Sequence, residues 1–384
     1  PRGHSQIRGV VSFYAMNTVE EIASELVRIP SVNPDGGDPG TDQTGEAACA
    51  EWVARFLQEC GAEVSLREVL PGRPNVVGRF PSKNSGAPRI LFAPHLDTVS
   101  VSGMTVDPFG GEIREGRLWG RGASDTKGPM ASMLWALREA RGFLADLPYE
   151  IWFAGLVGEE AGQHGAKALA EEEKFDFVMA GEPTSLDVVH AHKGSCWLHL
   201  KARGRAVHAS RPEEGENAIY QITAAIDCLR REVAPILAEK TDPVLGKSTL
   251  SVGTISGGSK VNIVPDFCEC SVDMRLVPGV DTAFVSQILQ ARVPSLEISL
   301  HRSEPLWTDP SHPIIQILGS LGSRPVGAPW FCDAAVFAAK GCPAIAIGPG
   351  SIDQAHTADE FIEVEELRRG GRFFLGFLQA LGRA

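Results

Sequence analysis

The tripeptide His95-Leu96-Asp97 follows directly on the apolar run Ile90-Leu91-Phe92-Ala93. A buried strand thus ends in an imidazole with a carboxylate two residues on, a metal ligand and its orienting partner in one step. The pattern recurs. Glu159-Glu160 closes the run Ile151–Val157, Glu182 closes Phe177-Val178-Met179-Ala180, and His356 follows Ala344-Ile345-Ala346-Ile347. Open α/β sheets carry their sites at the carboxyl ends of strands. Asp125, from the loop Gly120-Arg121-Gly122-Ala123-Ser124, completes a set of two histidines, one aspartate and two glutamates. Such an inventory suits two zinc-like ions better than one.

A bridged two-metal centre needs terminal ligands on each ion and one shared carboxylate, with the ions roughly 3.5–4 Å apart and clamping a water of depressed pKa. The expected arrangement gives His95 and Glu182 to one ion, Glu160 and His356 to the other, and Asp125 to both. Asp97 is expected to accept a hydrogen bond from the second ring nitrogen of His95, fixing its tautomer. Glu159 and Glu160 are adjacent, and in extended chain they point to opposite sides. One of them is then free to act as a proton carrier at the attacking water; spacing alone leaves open which.

Positioning these residues takes an α/β frame. At 384 residues the chain exceeds one ordinary core, and two domains are expected. Helical periodicity covers 19–30 and 43–60, the second opening near Thr41 and Thr44. Strands then alternate with helices from about 63 to 185, the mark of a mostly parallel sheet flanked by helices; one helix runs from Gly128 to Arg141. After about residue 187 the order changes to strand 195–202, helix 217–237, strands 248–256 and 261–274, helix 281–292 and strand 296–301. That β-α-β-β-α-β order is the ferredoxin-like motif. The expected layout is a catalytic domain from 16–187 and 303–384, with an α+β domain inserted at 188–302. Residues 1–15, ahead of Met16, read as an extension or tag remnant.

Composition narrows the function. Hydrophobic residues at 43% and charged residues at 22% are those of a folded globular protein. Forty-eight acidic against 36 basic side chains argue against nucleic-acid or anionic-membrane binding. No apolar run approaches the roughly 18 residues of a membrane span, and a cytoplasmic location is expected. The eight cysteines include no C-x-x-C pair and read as buried, reduced thiols. Gly120-Arg121-Gly122 begins like a dinucleotide fingerprint, but Asp125 stands where its third glycine belongs. A G-x-S-x-G nucleophile elbow is absent.

Ala93-Pro94-His95-Leu96-Asp97-Thr98-Val99, Asp107-Pro108-Phe109, Gly120–Gly128, Gly158-Glu159-Glu160, Gly181-Glu182-Pro183 and Gly348-Pro349-Gly350 leading to His356 together resemble the acetylornithine deacetylase/succinyl-diaminopimelate desuccinylase family. That family lies in the aminoacylase–carboxypeptidase superfamily of dizinc amide hydrolases, and the resemblance runs from about Met16 to the C-terminus. It implies that Glu159 is the general base and Glu160 the ligand. It also implies that the inserted domain is a lid and dimerisation domain, making the chain a homodimer. His208, in Gly204-Arg205-Ala206-Val207-His208-Ala209-Ser210, is similar to a family histidine that reaches the facing subunit's site and steadies the tetrahedral oxyanion. Arg275 and Asn262 match substrate-binding positions, and Gly350 offers a backbone amide to the substrate carboxylate.

The expected reaction is removal of an N-acyl group, acetyl in the first instance, from an α-amino acid by a hydroxide held between two divalent ions. Zinc is the expected metal, with cobalt and manganese as substitutes. The segment Pro329-Trp330-Phe331-Cys332-Asp333-Ala334 adds an aromatic pair that suggests an apolar substrate side chain. Dipeptidase or carboxypeptidase action is the alternative within the superfamily. A non-catalytic ligand-binding homologue is the alternative outside it, disfavoured because every ligand and the base are retained.

Overall fold

The computed structural model describes residues 17–36, 44–280 and 282–383. The N-terminal extension and Thr41 lie outside the described residues. The chain divides into two compact units. The first comprises the described residues through Val188, Asp309–Pro325, and those from Cys332 onward; the second comprises Val189–Thr308 and Val326–Phe331.

The first unit is built on a mixed, mainly parallel sheet. Its strands run in the order Glu63–Leu70, Arg73–Phe80, Glu150–Gly155, Arg89–Pro94, Phe177–Gly181 and Ala344–Ala346. The first two form an antiparallel hairpin whose second member pairs antiparallel with Glu150–Gly155. The last four are mutually parallel. Glu150–Gly155 and Phe177–Gly181 are buried at every residue, as strands covered on both faces must be, and their near-continuous apolar composition follows. Because the four run the same way, their carboxyl ends share one edge, and each leads to one of the residues singled out above. Pro94 stands opposite Gly181 in the register, so His95 and Glu182 leave the sheet side by side.

Helices Val19–Val27, Lys127–Ala140 and Val364–Leu381 pack together with the sheet. Phe92 meets Phe374 and Phe377 at ring-centroid distances of 5.7 and 6.3 Å. Each fully buried phenylalanine contributes about 2–3 kcal/mol by removal from water. The last helix carries Gly370 where a Cβ would come within 2.6 Å of Pro349; only glycine lets it lie this close to the Gly348-Pro349-Gly350 turn.

Two helix boundaries differ from the sequence expectation. The first helix ends at Val27 rather than 30, since Pro30 disfavours helical backbone at Ile29. The second starts at Ala47 rather than near Thr44. Thr44 forms an isolated bridge to Val32, and Glu46 turns its carboxylate to Arg73 at 2.6 and 2.8 Å instead of capping the helix.

The second unit contains a four-stranded antiparallel sheet in the order Thr249–Gly257, Phe267–Leu276, Gly194–Arg203, Glu297–Ser303, with helices Ala218–Cys228 and Ala283–Arg292. That is the ferredoxin-like arrangement. Burial along Phe267–Leu276 alternates strictly, with Cys268, Cys270, Val272 and Met274 inside. All eight cysteines are free thiols. The strand begins at 267 instead of 261, because 261–264 belong to a turn in which Ile263 bridges to His208. The long helix expected over 217–237 is interrupted by a π-helical segment, Leu229–Val233, just before Pro235, whose ring nitrogen donates no hydrogen bond. The unit also runs past residue 302, to Thr308, because Leu306–Trp307 pairs with Ala191 and His192.

Among the described residues no helix is long and apolar enough to cross a membrane.

Candidate metal centre

The parallel edge assembles the residues that sequence spacing singled out. Donor atoms of His95, Asp125 and Glu182 lie within 4.8 Å of one another, and so do those of Asp125, Glu160 and His356. Asp125 belongs to both sets. Its Oδ1 is 3.0 Å from His95 Nε2 and its Oδ2 is 3.3 Å from His356 Nε2, while His356 Nε2 also lies 3.2 Å from the Glu160 carboxylate. One carboxylate thus faces two imidazoles with different oxygens, the disposition a bridging ligand requires. Asp125 is carried by an irregular loop tied to the sheet where the Thr126 hydroxyl donates to the Gly181 carbonyl.

His95 is buried and its Nδ1 lies 2.9 Å from the carbonyl oxygen of Asp97. A carbonyl only accepts, so Nδ1 carries a proton, and Nε2 is the nitrogen turned to the Asp125 carboxylate, to which it donates when the ring is protonated. The orienting bond therefore comes from the Asp97 backbone, not from its carboxylate as expected; that group stands 3.6 Å away. The Asp97 carboxylate accepts instead from the backbone N–H of Glu159 (3.1 Å), the backbone N–H of Glu160 (3.0 Å) and Asn33 Nδ2 (2.7 Å). It holds the turn on which the two glutamates diverge. Asn33 sits among Pro34 and Asp35 with no motif to mark it.

His356 has φ of 63°, left-handed backbone that is uncommon for a residue with a side chain. Such strain persists where the surroundings over-determine it, and it gathers at functional sites. Glu360, which sequence reasoning missed, is fully buried and binds Arg121 together with three backbone amides of the Asp125 loop.

The electrostatics are those of crowded carboxylates. Burial, then the charge of Glu182, pushes Glu159 well above the usual carboxylate range. Burial and Asp125 do the same to Glu182 and raise Glu160. Burial pushes Asp333 up to about 7. Burial also opposes ionisation of Asp125, yet hydrogen bonds from His356 and His95 hold it below the usual range. The same contacts, to Asp125 and then Glu160, raise His356 to about 10. A cation seeking that nitrogen must displace its proton, so cation affinity rises with pH up to about 10. Hard and borderline donors, buried negative charge in excess and one shared carboxylate fit a pair of divalent ions.

The remaining residues singled out by sequence fall as follows. Gly350 is in the first unit at φ 92°, its carbonyl accepting from the Ser185 N–H at 2.7 Å. His208, Asn262 and Arg275 are in the second unit. His208 is exposed, and its Nδ1 lies 2.8 Å from the Ser210 hydroxyl and accepts the Ser210 backbone N–H at 3.2 Å. The neutral ring therefore carries its proton on Nε2, which is left as a donor. Asn262 is on the facing turn at 261–264, its backbone carbonyl accepting from the Ala209 N–H at 3.0 Å. Arg275 pairs with Asp273 at 2.9 Å, and its guanidinium lies 5.7 Å from the centre of the Phe331 ring.

Comparison with known proteins gives a consistent picture. The sequence profile described as Peptidase family M20/M25/M40 matches residues 91–380. The chain is 31% identical over 367 residues to an acetylornithine deacetylase from Proteus mirabilis (strain HI4320), covering 90% of this chain and 92% of that one. Among solved structures, an M20 family metallo-carboxypeptidase from Sulfolobus solfataricus superposes with a TM-score of 0.78 at 19% identity, covering 96% of this chain and 100% of that one. The Bacillus subtilis YXEP protein, described as a dinuclear metal binding peptidase of the M20 family, gives 0.64 at 14% identity over 94% of this chain and 96% of its own.

Proposed function

The chain belongs to peptidase family M20/M25/M40, and from that premise we propose that it is a dinuclear-metal amide hydrolase that removes an N-acyl group from an α-amino acid. The observation that carries this reading is the pair of donor sets sharing Asp125. His95 and Glu182 hold one ion, Glu160 and His356 the other, and Asp125 both. Bound there, two divalent ions, zinc in the first instance, supply Lewis acidity toward an amide carbonyl and acidify water.

The chain's own groups do the rest. Glu159, buried and pushed well above the usual carboxylate range, takes a proton from the attacking water and hands it to the nitrogen of the leaving amine. Asp97 sets where it stands by holding its backbone N–H. His208 donates from Nε2 to the oxyanion; in the proposed homodimer, formed through the second unit, it serves the facing subunit's site. Arg275, Asn262 and the Gly350 amide receive the substrate carboxylate, for which a guanidinium fork is well shaped.

Similarity to the acetylornithine deacetylase supports an acetyl group as the acyl part. Trp330 and Phe331, the latter against Arg275, support an apolar amino-acid side chain rather than the cationic one of ornithine. The second reading is exopeptidase action, favoured by the structural likeness to a metallo-carboxypeptidase; it uses the same residues.

A panel of N-acetyl amino acids and dipeptides tests this with zinc- or cobalt-loaded protein. N-acetyl derivatives of aliphatic or aromatic amino acids are expected to exceed dipeptides and N-acetylornithine by about 10- to 200-fold in kcat/KM, the range one apolar contact region supplies. Cleavage confined to dipeptides assigns the exopeptidase reading. A strong preference for N-acetylornithine removes the apolar side-chain assignment.

A further inference from the structure

Asp125 is the one member of both donor sets, yet it is placed by a loop, whereas His95, Glu160 and Glu182 follow strands. Beside the Thr126 tie to the Gly181 carbonyl, that loop is held over Gly120–Asp125 by Glu360. Its side chain is fully buried and receives four donors. Oε1 accepts the backbone N–H of Ser124 at 2.9 Å and of Asp125 at 3.0 Å. Oε2 accepts Arg121 Nη1 at 2.6 Å and the Gly122 N–H at 3.2 Å. The Glu360 carbonyl accepts the Gly120 N–H at 3.1 Å, so the contact runs along the whole loop from Gly120 to Asp125. Arg121 is 3% exposed, and a buried guanidinium left without its anion is costly.

Glu360 stands four residues after His356. The segment that carries His356 is therefore buckled to the loop that carries Asp125. In the Asp125–Glu160–His356 set, two of the three donors hang on this buckle; in the His95–Asp125–Glu182 set, only one does. We propose that Glu360 is a positioning residue that clasps the Asp125 loop to the His356 segment and so governs the affinity of the Asp125–Glu160–His356 set for its ion. The inference rests on the dinuclear reading above. Glu360 touches neither ion nor substrate; it acts through Asp125 and His356.

Only a carboxylate satisfies all four donors. In Glu360→Gln one oxygen becomes an NH2 group, which confronts an N–H or the guanidinium with a second donor. In Glu360→Asp the charge is kept for Arg121, but the oxygens withdraw by one methylene from the amides. Cobalt(II) titration of metal-free protein, followed by visible absorption and calorimetry, reads the two binding steps apart. Wild type takes up two equivalents. In both variants one of the two steps keeps its wild-type affinity, while the other weakens by about 10- to 100-fold, the effect of removing an outer partner of a metal ligand, and its absorption band changes. Thermal unfolding of the metal-free variants separates a general loss of stability from this selective one. Either folded variant binding both equivalents with wild-type affinities and spectrum overturns the clasp, and so does equal weakening of both steps. Fewer than two equivalents in wild type defeats the dinuclear reading itself, and the clasp with it. Should Glu360→Gln not fold, Glu360→Asp, which retains the ion pair, decides alone.

Discussion

Replacing Glu159 with alanine is expected to lower kcat by about 10²- to 10⁴-fold, the usual contribution of a positioned acid–base group, while the chain still takes up two ions. The argument rests on where the two glutamates stand. Glu160 contacts His356 and belongs to a donor set, whereas Glu159 belongs to none. Asp97 holds the backbone N–H of each, so the turn survives loss of the Glu159 side chain. Glu159→Gln, which preserves shape but cannot carry a proton, is expected to match the alanine variant. Steady-state kinetics with metal analysis on the same samples make the check. Loss of one ion along with activity would exchange the two glutamates' roles.

His208→Ala is expected to lower kcat by about 10²- to 10³-fold, the effect of removing one oxyanion donor, with little change in KM or metal content. Two bonds at Nδ1, to the Ser210 N–H and hydroxyl, leave Nε2–H as the donor. Because that donor is assigned to the facing subunit's site, two inactive proteins are expected to rescue each other. Mixing Glu159→Ala with His208→Ala under conditions that exchange subunits forms hybrid dimers in which one site has both groups. Recovery of activity on mixing is the expected result. A His208→Ala enzyme of wild-type kcat removes the histidine from the reaction, and a strong defect without rescue places it in its own subunit's site.

The frame was legible where the chain states its environment plainly. Continuous apolar runs such as Ile90–Ala93 and Phe177–Ala180 announced strands buried on both faces, and each ended on a side chain with metal-binding chemistry. The β-α-β-β-α-β order after residue 187 announced the ferredoxin-like unit, within which burial alternates strictly along Phe267–Leu276. The supporting contacts were less legible because they are made to backbone. The Asp97 carboxylate binds amides 62 and 63 residues away, and Glu360 binds amides more than 230 residues away. An amide is the same in every residue type, so no motif marks it as a partner. Glu46 shows the same limit from another side. It stands where a helix start was read, but its carboxylate answers the buried Arg73, a pairing that only the fold reveals.

The most direct test of the central claim is to count ions per chain after equilibrium dialysis of metal-free protein against zinc, for wild type beside His356→Ala. Two donor sets sharing Asp125 predict two ions in wild type and one in the variant, since His95, Asp125 and Glu182 form a complete set without His356. A single ion in wild type, or the same number in both proteins, would contradict the account.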